Sequence, residues 1–139
     1  MVITVIDGQG GGLGRNIIDR LKSALGTADV EIIALGTNAM ATANMLKAGA
    51  VQGATGENAI VIGAAGTDII VGAAAIVIAN SMMGELTPAM ACAIASSSAQ
   101  KVLIPFNRCG VTFAGVDASA TVASMLDELV KHVKALSKK

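Results

Sequence analysis

Short apolar runs alternate with amphipathic stretches along the whole chain, a pattern that predicts strands alternating with helices. Residues 2–6 are almost entirely apolar, which favours a parallel strand covered on both faces of its sheet. Residues 13–25 carry leucine or isoleucine at every fourth position, which predicts a helix with one core-facing stripe. We predict further strands at residues 30–35, 50–52, 69–72, 76–79 and 101–104, and further helices at residues 39–48 and 88–97. Residues 58–65 suit a short helix, although their valine and isoleucines would also suit a strand. Residues 111–116 suit a final strand or an edge hairpin, and a last helix begins at Ser119 or Thr121.

This order of elements predicts the α/β class: a Rossmann-like, doubly wound, mostly parallel sheet in a single domain at residues 1–139. We expect residues 2–6 to form a central strand with helices on both faces of the sheet. Asn38 is a good N-cap for the helix at 39–48, and Thr87 followed by Pro88 is a typical helix start. In the helix at 39–48 we expect Met40, Ala43 and Leu46 to face the core.

A glycine-rich stretch separates the first predicted strand from the first predicted helix. In order it contains Asp7, Gly8, Gln9, Gly10, Gly11, Gly12, Leu13, Gly14 and Arg15. Glycine lets backbone N–H groups turn toward a ligand, and a helix N-terminus adds partial positive charge. We therefore predict that a phosphate group binds to backbone N–H groups in this loop. Arg15 agrees with that prediction, because a cation in a first helical turn is unfavourable unless an anion lies nearby.

Polar residues also follow the other predicted strands. Ligands of open α/β sheets bind outside the carboxyl ends of the strands, so these residues are candidates for the same site. They are Gly36, Thr37 and Asn38 after the second strand, Asn80 and Ser81 after residues 76–79, and Asn107 and Arg108 after residues 101–104. Arg108 could clamp a phosphate or a carboxylate with two hydrogen bonds. Asn80 and Ser81 have two interpretations, since their side chains suit hydrogen bonds either to a ligand or to the backbone.

The glycine spacing excludes two common phosphate-binding fingerprints. G-x-G-x-x-G fails because Leu13 or Arg15 stands where the third glycine belongs, and the P-loop spacing fails at Gln9. The spacing Gly8-x-x-x-Gly12-x-Gly14 is similar to the cofactor loop of short-chain dehydrogenases. That similarity implies NAD, NADP or another nucleotide as the ligand. Those enzymes use a Tyr-x-x-x-Lys pair, and this chain has no tyrosine, so hydride transfer by that mechanism is excluded.

The second predicted strand also departs from the dinucleotide-binding pattern. An acid after that strand would bind the ribose hydroxyls of NAD, and a basic residue would accept a 2′-phosphate. The segment Gly36-Thr37-Asn38 offers only a hydroxyl and an amide. A glycine turn that merely packs the helix against the sheet therefore stays open as an alternative.

The candidate reactive groups each have a structural alternative. Asp7 could act as a general base, a magnesium ligand or a ribose acceptor, or it could cap its own turn through the N–H groups of Gly10–Gly12. Cys109 lies beside Arg108 and could be a nucleophile, but a small half-buried thiol is favoured. His132, the one histidine, lies in a lysine-rich helix, so we predict no metal site and assign no catalytic residue.

Composition narrows the partners. Ten basic and ten acidic residues give a net charge of zero, which speaks against a nucleic-acid-binding surface. The chain is 53% hydrophobic, which favours a homo-oligomer, with Met82, Met83 or the apolar stretch before them at the interface. No secretory signal and no stretch long enough for a membrane span is visible. The two cysteines do not form a disulfide framework, so we expect a cytoplasmic protein.

Several segments together also resemble a known family. They are DGQGGGLG, ALGTNAMATANMLKAGA, GATGENAI, IANSMMGELTPAMA and LIPFNRC. Over nearly its whole length the chain is similar to a family of short bacterial proteins, domain of unknown function 3842. The resemblance implies a Rossmann-like single domain and supplies neither an activity nor catalytic residues.

Three hypotheses about function follow. The first is a nucleotide- or phosphate-binding protein that acts as a small homo-oligomeric ligand binder or regulator. The second is an enzyme acting on a phosphorylated or nucleotide-linked small molecule, with Asp7, Asn80, Asn107 and Arg108 as site groups. The third is a structural or adaptor subunit that has the fold without a small-molecule ligand.

Overall fold

The first strand lies at the centre of the sheet, as its apolar sequence predicts. A computed structural model describes residues 1–26, 29–106 and 109–139. In chain order the elements are β1 (Val2–Asp7), α1 (Gly12–Leu25), β2 (Glu31–Gly36), α2 (Ala39–Lys47), β3 (Gln52–Thr55), α3 (Glu57–Gly63), β4 (Ile69–Ala73), a 3-10 helix (Ala74–Val77), α4 (Pro88–Ser96), β5 (Gln100–Ile104) and α5 (Val122–Ser137).

The sheet has the order β3-β2-β1-β4-β5, and every neighbouring pair of strands is parallel. The chain winds from β1 outward through β2 to β3 and then returns to the other side of β1 with β4. This reversal makes the carboxyl ends of β1 and β4 the topological switch point of the sheet, the place where ligands of open α/β sheets bind. The predicted α/β class with a Rossmann-like, doubly wound sheet is confirmed.

Helices cover both faces of the sheet and form two cores. α1 and α5 pack with Met45 of α2 on one face, while α3, α4 and the 3-10 helix pack on the other. Because successive side chains of a strand alternate between faces, Ile3 and Val5 of β1 enter the first core and Ile6 enters the second. Helices on both faces explain why residues 2–6 of β1 are almost entirely apolar.

The predicted helix starts are confirmed by their hydrogen bonds. The Asn38 side chain accepts a hydrogen bond from the N–H of Ala41 at 2.9 Å and so caps α2. Thr87 caps α4 through the N–H of Met90, with Pro88 in the first helical position. Thr121, one of the two predicted starts, caps α5.

Two predicted strands are wrong. Residues 76–79 belong to the end of the 3-10 helix and the turn after it, and β5 takes the place beside β4 instead. Residues 111–116 form turns and irregular backbone and contribute no strand. In the first segment Ile76 is buried in the second core instead of extending the sheet, because tertiary contacts override a weak β propensity.

The predicted core face of α2 is also wrong. Ala41, Thr42 and Met45 are buried, whereas Met40 is 64% exposed and Leu46 40% exposed. A Cβ added to Gly11 would lie 2.6 Å from the Cα of Ala41, so the loop after β1 touches the backbone of α2. Only a small side chain fits a helix face that approaches so closely, and this contact sets the rotation of α2.

Candidate functional site

Asp7 closes the glycine loop (residues 8–14) from its position at the end of β1. Its two carboxylate oxygens accept hydrogen bonds from the N–H groups of Gly8 at 2.8 Å and Gly14 at 2.7 Å. The residue is only 7% exposed, and burial raises the pKa of Asp7 above its ordinary value, with these two N–H groups acting in the opposite direction. Asp7 therefore caps its own turn, through Gly8 and Gly14 instead of Gly10–Gly12.

The carbonyl groups of the loop are held by donors of the protein. The carbonyl of Gly8 accepts from the N–H of Gly11 at 2.9 Å. The Asn38 side chain donates to the carbonyl of Gln9 at 2.8 Å, and the Asn44 side chain donates to that of Gly10 at 2.7 Å. α2 thus fixes the loop through two asparagine side chains.

Three N–H groups of the loop have no acceptor among the residues that the structure describes. They belong to Gly10, Gly12 and Leu13, at the N-terminus of α1. Gly10 and Gly12 are exposed, and a Cβ added at either would meet no heavy atom within 4 Å. The loop therefore offers unoccupied donors beside open space.

The other two glycines of the helix start are tightly packed. Gly11 has a φ of 74°, a left-handed conformation that favours glycine, in addition to its contact with α2. A Cβ on Gly14 would lie 2.5 Å from the Met45 sulfur and 2.9 Å from the Cβ of Asp7. Gly14 thus lets α1 approach both β1 and α2.

The residues after β2 lie directly beside the glycine loop. Gly36 ends β2 in register with Asp7, and a side chain there would collide with the hydroxyl of Thr42. Thr37 donates its backbone N–H to the carbonyl of Asp7 at 3.1 Å. The side chains of Thr37 and Asn38 both donate to a carboxylate that arrives from another part of the chain.

That carboxylate belongs to Glu85, which the sequence patterns did not predict as a site residue. Its Oε1 atom accepts hydrogen bonds from the Gln9 N–H at 3.0 Å, the Thr37 hydroxyl at 2.7 Å and the Asn38 side chain at 2.7 Å. Burial raises the pKa of Glu85, but these three hydrogen bonds together hold the pKa below its ordinary value. Glu85 is therefore an ionised group at the carboxyl edge of β1 and β2.

A closed loop carries Glu85 across the end of β1. In this Glu85 loop (residues 80–86) the Asn80 N–H donates to the Leu86 carbonyl at 2.8 Å, and the Ser81 hydroxyl donates to the Ala75 carbonyl at 2.5 Å. Asn80, Met82 and Met83 all have positive φ angles, and the buried Met82 side chain packs against Gly8. Of the two predicted site residues here, the Ser81 side chain bonds a backbone carbonyl, and Asn80 bonds the loop through its backbone N–H.

The remaining candidates lie apart from these contacts. Arg15 is exposed in the first turn of α1 and makes no ion pair with any described acid. Asn107 and Arg108 lie outside the described residues. Among residues 1–26, 29–106 and 109–139, no group of three or more histidine, cysteine or acidic side chains could hold a metal ion. Across the same residues, no helix combines the length and the apolarity that crossing a membrane requires.

The fold and this site define an α/β protein with a glycine loop at the switch point of a parallel sheet. Residues 2–138 match the family described as Domain of unknown function (DUF3842). The chain therefore belongs to that family, and the resemblance noted from its sequence is confirmed. No curated protein matches the chain.

Proposed function

We propose that this protein binds a nucleotide at the glycine loop and acts as a small ligand binder or regulator. One observation carries the proposal: the N–H groups of Gly10, Gly12 and Leu13 have no acceptor among the described residues, although the carbonyls beside them are all bound. A phosphate group would supply those acceptors, and its charge would be stabilised by the N-terminus of α1.

The mixed polarity of the site favours a nucleotide over a simple anion. The free N–H groups attract a negative group, while the ionised Glu85 nearby repels one and accepts hydrogen bonds. A ligand that fits both must carry a phosphate at one end and hydroxyl donors at the other. A nucleotide has this arrangement, with its ribose next to its phosphate groups.

Binding is favoured over catalysis by the state of Asp7. Both of its carboxylate oxygens are held by backbone N–H groups, so Asp7 is not free to take a proton from a substrate. The enzyme hypothesis loses its first candidate base in this way, and an adaptor without a ligand becomes an outcome of the experiment below.

The test is the melting temperature of the full chain with ADP, NAD⁺, NADP⁺, ATP, GTP, adenosine or inorganic phosphate. A ligand that binds only the folded state raises the melting temperature, and we expect this from the nucleotides but not from adenosine. If no phosphorylated ligand raises it at millimolar concentration, the glycine loop is structural and the adaptor hypothesis replaces this one.

A matched pair of variants places the ligand at the loop. Gly12→Val puts a branched side chain over the free N–H groups, and nothing in the protein obstructs it. Gly66→Val adds the same side chain at an equally open glycine between α3 and β4, at the opposite edge of the sheet. We expect both variants to melt like the wild type without ligand, and only Gly12→Val to bind the nucleotide about tenfold more weakly or worse.

Self-association and a cytoplasmic location are further parts of this proposal. Met82 is buried against the glycine loop, so Met83, which is 97% exposed, is the methionine that a partner copy could cover. Light scattering of the wild type and of Met83→Lys tests the first part. A wild-type mass of 13.8 kDa at micromolar concentration would contradict it. The location rests on cysteine usage alone.

A further inference from the structure

The dinucleotide-binding pattern expects an acid after the second strand, and the chain has none there. The structure supplies a carboxylate at that place from another element. Glu85 is bound by Thr37 and Asn38, which follow β2, and by Gln9 of the glycine loop. It reaches them from the loop after β4, on the other side of β1.

We propose that Glu85 binds the ribose of the nucleotide and selects a free 2′-hydroxyl, so that the protein rejects 2′-phosphorylated nucleotides. The inference rests on the proposed function and narrows its ligand class. It assigns the ligand specificity of the site to Glu85, which lies outside the glycine motif and outside the segment after the second strand.

The geometry of the carboxylate leaves one oxygen for the ligand. Oε1 holds all three hydrogen bonds to Glu85, and no described residue donates to Oε2. An ionised carboxylate only accepts hydrogen bonds, so a ribose hydroxyl is a suitable donor for Oε2. Because three donors already fix the side chain, binding adds a hydrogen bond with little further loss of rotamer freedom.

The supporting backbone keeps Oε2 in place. Hydrogen bonds from Asn80 to Leu86 and from Leu86 to Ser81 close the Glu85 loop, and the Ser81 hydroxyl ties it to the Ala75 carbonyl in the 3-10 helix. The Met82 side chain anchors the same loop on Gly8. The hydrogen-bonded loop therefore holds the Glu85 carboxylate in place, so that it is a preformed acceptor for the ligand.

The charge of the cluster acts against a 2′-phosphate. Such a group needs a cation, and the described residues that contact Glu85 contribute only an N–H, a hydroxyl and an amide. A phosphate placed against ionised Glu85 would meet like charge, whereas a hydroxyl donates to it. Glu85 alone would therefore discriminate a ribose with a free 2′-hydroxyl from a ribose with a 2′-phosphate.

Two pairs of ligands test this by titration calorimetry on the full chain. ADP and 2′-deoxy-ADP differ only in the 2′-hydroxyl, and NAD⁺ and NADP⁺ differ only in the 2′-phosphate. We expect the wild type to bind ADP and NAD⁺ about tenfold or more tightly than the other member of each pair.

Glu85→Gln keeps the size of the side chain and removes its charge, so the NAD⁺ to NADP⁺ ratio should fall to about threefold or less. Glu31→Gln is the matched control, because Glu31 is an exposed acid at the opposite end of β2 and should leave both ratios unchanged.

The outcomes separate the inference from the proposed function. If ADP and NAD⁺ bind but the members of each pair bind equally well, Glu85 does not select the ribose and the nucleotide-binding function stands. If none of the four ligands binds, the proposed function fails and this inference fails with it. The wild-type ratios need no variant, so the test holds even if Glu85→Gln folds poorly.

Discussion

The glycine loop has an inner and an outer half that differ in what surrounds them. Side chains added to the inner glycines, Gly11 and Gly14, would collide with Ala41 and Met45. Side chains added to the outer glycines, Gly10 and Gly12, would meet nothing within 4 Å, and neither has a positive φ. Packing therefore explains the inner glycines but not the outer ones, and the ligand site that we propose would account for the outer ones.

The two carboxylates of the site repeat this difference. Asp7 is buried, gives both oxygens to the backbone and has a raised pKa. Glu85 is partly exposed, has one oxygen without a described donor and has a lowered pKa. Asp7 thus holds the loop together, whereas Glu85 keeps one oxygen for the ligand that we propose.

The largest expected effect is the loss of stability in Gly11→Ala. The added Cβ collides with the backbone of α2, and alanine is strained at a φ of 74°, so we expect about 2–5 kcal/mol of destabilisation. Gly12→Ala should change the free energy of unfolding by less than about 1 kcal/mol, in the stabilising direction, because Gly12 begins α1. Urea denaturation of the two variants measures both. Equal stabilities would remove the distinction between the two halves of the loop.

The second effect is the loss of the Asp7 contacts. Asp7→Asn keeps one acceptor and places an NH₂ group against a backbone N–H, so one buried donor loses its partner. We expect about 1–3 kcal/mol of destabilisation by urea denaturation. Asp19→Asn, an exposed position on α1, is the control and should stay within about 0.5 kcal/mol of the wild type. A destabilisation of Asp7→Asn no larger than that of the control would show that Asp7 does not hold the loop.

The third prediction concerns pH, where the two acids act in opposite directions. The folded pKa of Asp7 is raised above 3.8, so the native state binds more protons and stability falls as pH rises from that value to the folded pKa. The folded pKa of Glu85 is lowered below 4.5, so its contribution is full above that value and is lost as pH falls through the folded pKa. Asp7→Asn should therefore steepen the rise of stability with pH, and Glu85→Gln should flatten it.

Melting temperatures between about pH 3 and pH 7 measure these slopes, because the difference between wild type and variant isolates one group. Asp19→Asn again serves as the control and should run parallel to the wild type. Slopes that change in the same direction for Asp7→Asn and Glu85→Gln would contradict the opposite pKa shifts.

Most of the fold could be predicted from local patterns in the sequence. Apolar runs located β1, β2, β4 and β5, and capping residues located the starts of α2, α4 and α5, because these features depend on neighbours in the chain. The orientation of α2 was missed because it depends on the backbone contact between Gly11 and Ala41. That contact joins residues 30 positions apart and leaves no periodicity in either segment.

The sequence predicts where the candidate site lies, but it does not predict that Glu85 is part of it. The glycine loop and the segment Gly36-Thr37-Asn38 follow their strands directly, so parallel strands bring them together. Glu85 comes twelve residues after the end of β4, beyond a 3-10 helix and a turn in which Met82 and Met83 have positive φ angles. Methionine seldom adopts that conformation, so no turn rule predicts the path. A lone acid in an apolar loop was the only feature that could have indicated it.

The smallest expected effect is that of Arg15→Gln, which tests how far the outer half extends. Arg15 lies in the first turn of α1 just after the free N–H groups, is exposed and contacts no described acid. Removing a cation from a helix N-terminus should stabilise the unliganded protein by less than about 0.5 kcal/mol. The same change should weaken nucleotide binding by about threefold or less, since an exposed charge contributes little to a screened contact. Calorimetry at two salt concentrations distinguishes a weak, screened effect of Arg15 from a direct contact between Arg15 and the phosphate. A large loss that salt abolishes would mean that Arg15 contacts the phosphate directly and that the backbone N–H groups are not its main support.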